Sequence, residues 1–168
     1  MASIALLVVF PFLMAYAAAS DLLTMTIPNR LSLALVAAFP VAALALGLGW
    51  AEAGSHVAAG ALTLLITFAM FSFGWIGGGD AKLAAATALW LGFEVLADYV
   101  LLASLAGGLL TLLIVYARTY PLPGFALGWP FAQRLLDRRT GIPYGIALAA
   151  AALVVCPMAP LWRAALPA

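Results

Sequence analysis

"YVLLASLAGGLLTLLIVYA", residues 99–117, runs for nineteen positions without a charged side chain, between Asp98 and Arg118. A barrel strand crosses a bilayer in about 9–11 residues and a helix in about 20, so the length of this run selects a helix. The rest of the chain is of the same kind. Of its 168 residues 67% are hydrophobic and 8% charged, and mean hydropathy is +1.18; soluble domains carry about 25% charge. This composition excludes a water-soluble domain. It predicts an all-α, polytopic integral membrane protein with the lipid bilayer as its solvent, a single transmembrane domain over residues 1–168.

Charges, prolines and glycines divide the sequence into about six apolar blocks, expected as transmembrane helices over 3–26, 31–50, 57–75, 80–96, 99–117 and 142–160. Pro28 and Asn29 suit a turn followed by a helix N-cap, and Ser55 suits a cap on the third helix. Residues 118–141, with four arginines, read as the one substantial loop, with a short surface helix around 131–137. "AYAAAS" (15–20) has the small residues of a signal cleavage site, but no Lys or Arg precedes it, so the first block reads as a span. There is no internal repeat. Cys156, the single cysteine, has no disulfide partner or metal-binding spacing and is expected as a small buried residue. Trp50, Trp75 and Trp162 fall near span ends and read as interfacial anchors, and Trp90 as packing. Gly107 reads as an ordinary membrane-helix glycine.

The few charges set an orientation. With the N-terminus outside, inner loops collect Arg30, Lys82, Arg118, Arg134, Arg138 and Arg139, and the outer side keeps only Arg163. Glu52, Glu94 and Asp98 then lie outside, with His56 expected in a solvated outer loop. A net charge of +1 gives no sign of nucleic-acid binding, and nothing in the sequence specifies an oligomeric state.

Asp21 and Asp80 remain on the inner half. The first block continues past Asp21 to Pro28, which places the carboxylate roughly 10 Å short of the proline. From Asp80 to Glu94 the fourth block offers only about 21 Å against a hydrocarbon core of about 30 Å, so Asp80 is expected about 9 Å below the inner interface. Ionisable groups at such depth face a protein interior or a wet cavity and mark functional sites. Beside Asp80 stand Gly77, Gly78 and Gly79, whose missing side chains let backbone leave the helix and approach another chain. Two carboxylates at matched depth beside accessible backbone are what aspartic proteolysis requires: one ionised to activate water, one protonated to polarise the scissile carbonyl. The same groups suit a proton-coupled transporter, and a non-catalytic pilus or secretion assembly subunit is a third class.

"GGGDAK" (77–82) resembles the GxGD signature of membrane aspartic peptidases, and with Lys82 it is similar to that of the type IV prepilin peptidases. "SDLLTMTIPNRLS" (20–32) resembles the segment carrying that family's first catalytic aspartate, and "GIPYGIALAA" (141–150) the stretch that opens its last helix. The resemblance implies an endopeptidase of the bacterial inner membrane that cuts the basic leader from prepilins or pseudopilins on the cytoplasmic side, working beside pilus or secretion assembly components. It implies Asp21 and Asp80 as the catalytic pair, Gly77 and Gly79 shaping the loop that presents Asp80, and no metal or organic cofactor. Lys82 stands about 200° around the helix from Asp80 and is not expected to pair with it; it snorkels or meets an acidic group of the substrate. Pro143, Tyr144 and Gly145 are expected to give helix-end geometry near the site, or a substrate contact. Larger members carry an N-terminal segment with paired cysteines and methylate the new N-terminus. This sequence resembles instead the short peptidase-only form associated with tight-adherence (Flp-type) pili.

Overall fold

The computed structural model describes residues 2–121 and 128–165, with side chains from Leu7 onward. Residues 122–127 of the expected loop lie outside the described residues. The described chain is all-α: α1 (Ala2–Thr24), α2 (Asn29–Ala45), α3 (Trp50–Ser72), α4 (Gly78–Leu91), α5 (Leu96–Ala117), α6 (Pro130–Leu136), α7 (Gly145–Val155) and α8 (Pro160–Ala165). Within α1, α3 and α5, the stretches Leu7–Thr24, Trp50–Ser72 and Leu96–Ala117 are long and apolar enough to cross a membrane; Asn29–Ala45 and Gly145–Met158 are shorter apolar helices.

At 14 residues α4 rises only about 21 Å, and it is the axis of the bundle. Every residue from Leu83 to Leu91 is buried. Alanines dominate it, which lets α3, α2 and α7 pack closely around it. Gly60 of α3 is one such approach: a Cβ there would stand 3.0 Å from Leu89 Cβ and 3.3 Å from the Ala85 carbonyl oxygen. Outward-facing side chains such as Leu65, Phe68, Leu101, Leu105 and Leu112 are exposed and apolar, the surface a lipid environment demands.

The C-terminal end of α4 is closed by aromatic rings. Trp90 is buried as expected and donates from Nε1 to the Leu35 carbonyl at 2.9 Å. Its ring centroid lies 5.3 Å from Phe10 and 6.0 Å from Trp162. Trp162 is therefore a core residue, 5% exposed, rather than an interfacial anchor. The reason is the break at Pro157: α7 stops at Val155, a 3-10 turn covers Cys156–Met158, and α8 folds Trp162 back onto Phe10. Trp50 and Trp75, 90% and 72% exposed, have the exposure an anchor needs, and Cys156 is buried with a free thiol.

His56 also departs from expectation. Gly47, at φ +70°, turns the chain so that α3 starts at Trp50, and Ser55 lies inside the helix instead of capping it. His56 is then 2% exposed, its Nδ1 is 2.9 Å from the Leu89 carbonyl oxygen, and its ring lies 5.6 Å from that of Phe39. Gly92, at φ +71°, leaves room for the imidazole: a Cβ there would come within 2.9 Å of Cε1. The histidine thus caps one of the free carbonyls at the C-terminus of α4. Close by, Glu94 and Arg163 form an ion pair, joining two charges expected on the same side of the membrane.

Candidate active site

α1 ends at Thr24, not at residue 26, so Asp21 lies in its last turn. Pro28 keeps the residue before it out of helical conformation. Met25 turns the chain at φ +55°, with its N–H still bonded to the Asp21 carbonyl at 2.8 Å. Ser20 Oγ donates to the Thr26 carbonyl at 2.9 Å and Thr24 Oγ1 to the Ser20 carbonyl at 2.8 Å, which satisfies backbone groups the turn sets free.

Although at a helix end, Asp21 is 5% exposed. Its Oδ2 accepts a 2.7 Å hydrogen bond from the backbone N–H of Gly145, the first residue of α7. A helix N-terminus offers unpaired N–H groups and a partial positive charge, so α7 holds the carboxylate by its backbone. Arg118 keeps the approach to α7 in place, donating to the carbonyls of Leu135 and Gly141 at 2.9 Å each. Pro143 is fully buried ahead of that N-terminus. The close fit explains Gly145: a Cβ would lie 2.8 Å from Asp21 Oδ2 and 2.7 Å from Ile27 Cδ1.

Asp80 occupies the first turn of α4, three residues after the N-cap Gly77. The Gly77 backbone amide supports its carboxylate, the reach-back arrangement of a capping box. A Cβ on Gly77 would stand 2.8 Å from Asp80 Oδ2. Gly79 packs on Ile27, where a Cβ would be 3.2 Å from the isoleucine Cβ, and Gly78 packs on the Phe71 ring. Ile27 thus touches the backbone beside each aspartate, and the two carboxylates are near enough to feel each other's charge. Contrary to expectation, the glycine run does not unwind the helix. Gly78 and Gly79 form the first turn of α4, Gly77 has φ −72°, and the left-handed residue is Gly74 at φ +73°. The three glycines serve close approach.

Lys82 points away from Asp80, and its Nζ donates to Asn29 Oδ1 at 2.9 Å. It borders a cavity of about 620 Å³ between α2, α3 and α4, whereas Asp80 borders one of about 160 Å³ between α3, α4, α5 and α7. Tyr144 is half-buried on the wall of the smaller cavity, its hydroxyl 3.4 Å from the Ala103 carbonyl and its ring against Gly107. Gly107 is accordingly a packing site for this tyrosine, not an ordinary lipid-facing glycine. Tyr99 lines the same cavity and was not singled out from the sequence; the available signal was a hydroxyl-bearing ring at the mouth of an otherwise apolar span. Ile27, which contacts the backbone at both Gly79 and Gly145, carries no chemical signal of its own in the sequence.

The geometry therefore joins Asp21, Asp80, Gly77, Gly79, Tyr144 and Gly145 in one region and leaves Lys82 on another face. One acidic group is held by a helix N-terminus and another lies within a helix's first turn, inside an apolar bundle, which is an arrangement suited to dividing one proton between two carboxylates. The description "type IV leader peptidase family" belongs to the family model that matches residues 8–112, over half of the chain and including both aspartates. No curated protein and no solved structure matches the chain.

Proposed function

This chain belongs to the type IV leader peptidase family, and we propose that it is an aspartic endopeptidase within the membrane, with Asp21 and Asp80 as its catalytic pair. Its substrates are prepilins or pseudopilins, cut on the cytoplasmic side of the bacterial inner membrane. The observation that carries the reading is that Ile27 packs both against Gly79, next to Asp80, and against Gly145, whose N–H holds Asp21, which brings two carboxylates from different helices together inside an apolar bundle. Membrane interiors make such groups costly, and no ion pair with a basic side chain is found for either among the described residues.

In the proposed reaction the ionised carboxylate takes a proton from a water whose oxygen attacks the scissile carbonyl carbon. The protonated carboxyl donates to the carbonyl oxygen, and the proton gained from water passes to the leaving amine as the tetrahedral intermediate collapses. Gly145 N–H fixes Asp21 and Gly77 N–H supports Asp80, so both carboxylates are oriented before substrate arrives.

Purified protein in detergent is expected to cleave a prepilin with a basic leader, seen as a mass loss equal to that leader. Turnover is expected to be bell-shaped in pH, because a shared proton gives two macroscopic titrations. A flat profile from acid to neutral pH overturns the dyad. Side is tested separately. In a Cys156→Ala background, single cysteines near Arg30, Lys82 and Arg138 should react with a cytoplasmic thiol reagent and one replacing the exposed Glu52 with an external reagent. The reverse pattern puts the carboxylates on the wrong side for this substrate.

A further inference from the structure

Ile27 belongs to the short link between α1 and α2, yet it is packed between the ends of two other helices. Its Cβ lies against the first turn of α4, 3.2 Å from where a Cβ on Gly79 would stand. Its Cδ1 reaches the start of α7, 2.7 Å from the same position on Gly145. Each glycine neighbours one carboxylate: Gly79 directly precedes Asp80, and the Gly145 N–H donates to Asp21 Oδ2 at 2.7 Å. The residue is also stiff. Branching at Cβ restricts χ1, Pro28 disfavours any helical conformation at Ile27, and the 2.9 Å hydrogen bond from Ser20 Oγ to the Thr26 carbonyl ties down the link.

We propose that Ile27 is a positioning residue for the aspartate pair: a rigid spacer between the first turn of α4 and the N-terminus of α7, whose side chain sets the separation of Asp80 and Asp21. This rests on the proposed aspartic mechanism and adds to it a residue with no polar chemistry of its own. Spacing matters because sharing one proton needs the carboxylates close together, while their repulsion grows as they approach. The titration of such a pair therefore reports its separation. Around it, Tyr99 of α5 and Tyr144 of α7 lie within electrostatic range of Asp80, but tyrosines titrate far above carboxylates. Lys82 turns to Asn29 instead.

Ile27→Ala removes everything beyond Cβ. Its kcat is expected to fall by roughly ten- to a hundredfold with KM little changed, the size of a displacement of about 1 Å at a catalytic group. The two limbs of the pH–rate profile should move further apart, because the helix ends close on the vacated space and the carboxylates repel more strongly. Ile27→Val, which loses only Cδ1 and is the milder change for folding, should show both effects in smaller measure. It should also partly restore the rate of Gly145→Ala, whose added Cβ needs the space that Cδ1 holds. It should not help Gly77→Ala, whose Cβ would meet only Asp80. Leu35→Ala, an equal truncation at a fully buried site of α2 beside Trp90, controls for packing: its melting temperature should fall while kcat and limb spacing stay as in wild type. The inference is overturned if Ile27→Ala keeps the wild-type kcat, if its limb spacing is unchanged or narrower, if Leu35→Ala reproduces both effects, or if Ile27→Val helps Gly77→Ala as much as Gly145→Ala. Asp80→Asn, assayed in parallel, separates the two levels. Normal cleavage by Asp80→Asn defeats the aspartic mechanism itself, whereas an inactive Asp80→Asn beside a normal Ile27→Ala defeats only the role of Ile27.

Discussion

Asp21→Asn and Asp80→Asn should each lower leader cleavage by at least about 10²–10⁴-fold, the contribution of a positioned acid or base, while the protein stays inserted and folded. The amide is nearly the same shape as the carboxylate, and its oxygen can still accept the Gly145 N–H that now reaches Asp21 Oδ2 at 2.7 Å. Replacing a charge inside an apolar bundle by a neutral group also relieves desolvation, so thermal stability in detergent should be equal or higher. If the two carboxylates act on one water as proposed, the double variant should be little worse than either single one. Cleavage near the wild-type rate in either single variant would falsify the assignment. Losses that multiply in the double variant would mean that the two groups serve separate steps.

The fold class was legible because lipid leaves the backbone one economical solution for runs such as 99–117, and the three longest helices follow directly from run length. Both aspartates were legible for a related reason: a charge inside such a run has to be used or paired. What the sequence concealed was tertiary. His56 reads as a loop residue until Gly47 and Gly49 start α3 at Trp50, after which Phe39, Leu89 and Gly92 surround the ring. Trp162 reads as an anchor until the break at Pro157 folds it onto Phe10. The partner of Asp21 is a backbone N–H 124 residues away, and a backbone donor leaves no mark in side-chain chemistry. Glycine runs are equally ambiguous, since left-handed turns and close approach both call for glycine; here Gly74 provides the first and Gly77–Gly79 the second.

That distinction makes the glycines beside the aspartates the sharpest test of positioning. A Cβ added to Gly145 would meet Asp21 Oδ2 at 2.8 Å and Ile27 Cδ1 at 2.7 Å, and one added to Gly77 would meet Asp80 Oδ2 at 2.8 Å. Real Cβ atoms do not come so near, so in each variant the carboxylate must move aside. Neither glycine needs a positive φ, so alanine brings no backbone strain of that kind, and Gly77 as an N-cap and Gly145 as the first residue of α7 both stand at helix ends, where the change costs the helix at most about 1 kcal/mol. Stability should therefore change little, whereas displacing a catalytic group by about 1 Å can cost roughly a hundredfold in rate. Gly145→Ala should be the worse of the two, because Asp21 is also held by the N–H of that residue and has Ile27 behind it. Gly108→Ala is the proper control, with nothing within 4 Å of its added Cβ. Gly107→Ala is not one, since its Cβ would run into the Tyr144 ring and disturb the wall of the Asp80 cavity. Cleavage rate and melting temperature for Gly77→Ala, Gly145→Ala and Gly108→Ala should separate into two groups, with rate lost and stability kept in the first two. If all three keep their rate, the aspartates tolerate displacement and backbone support of the carboxylates has no part in the chemistry.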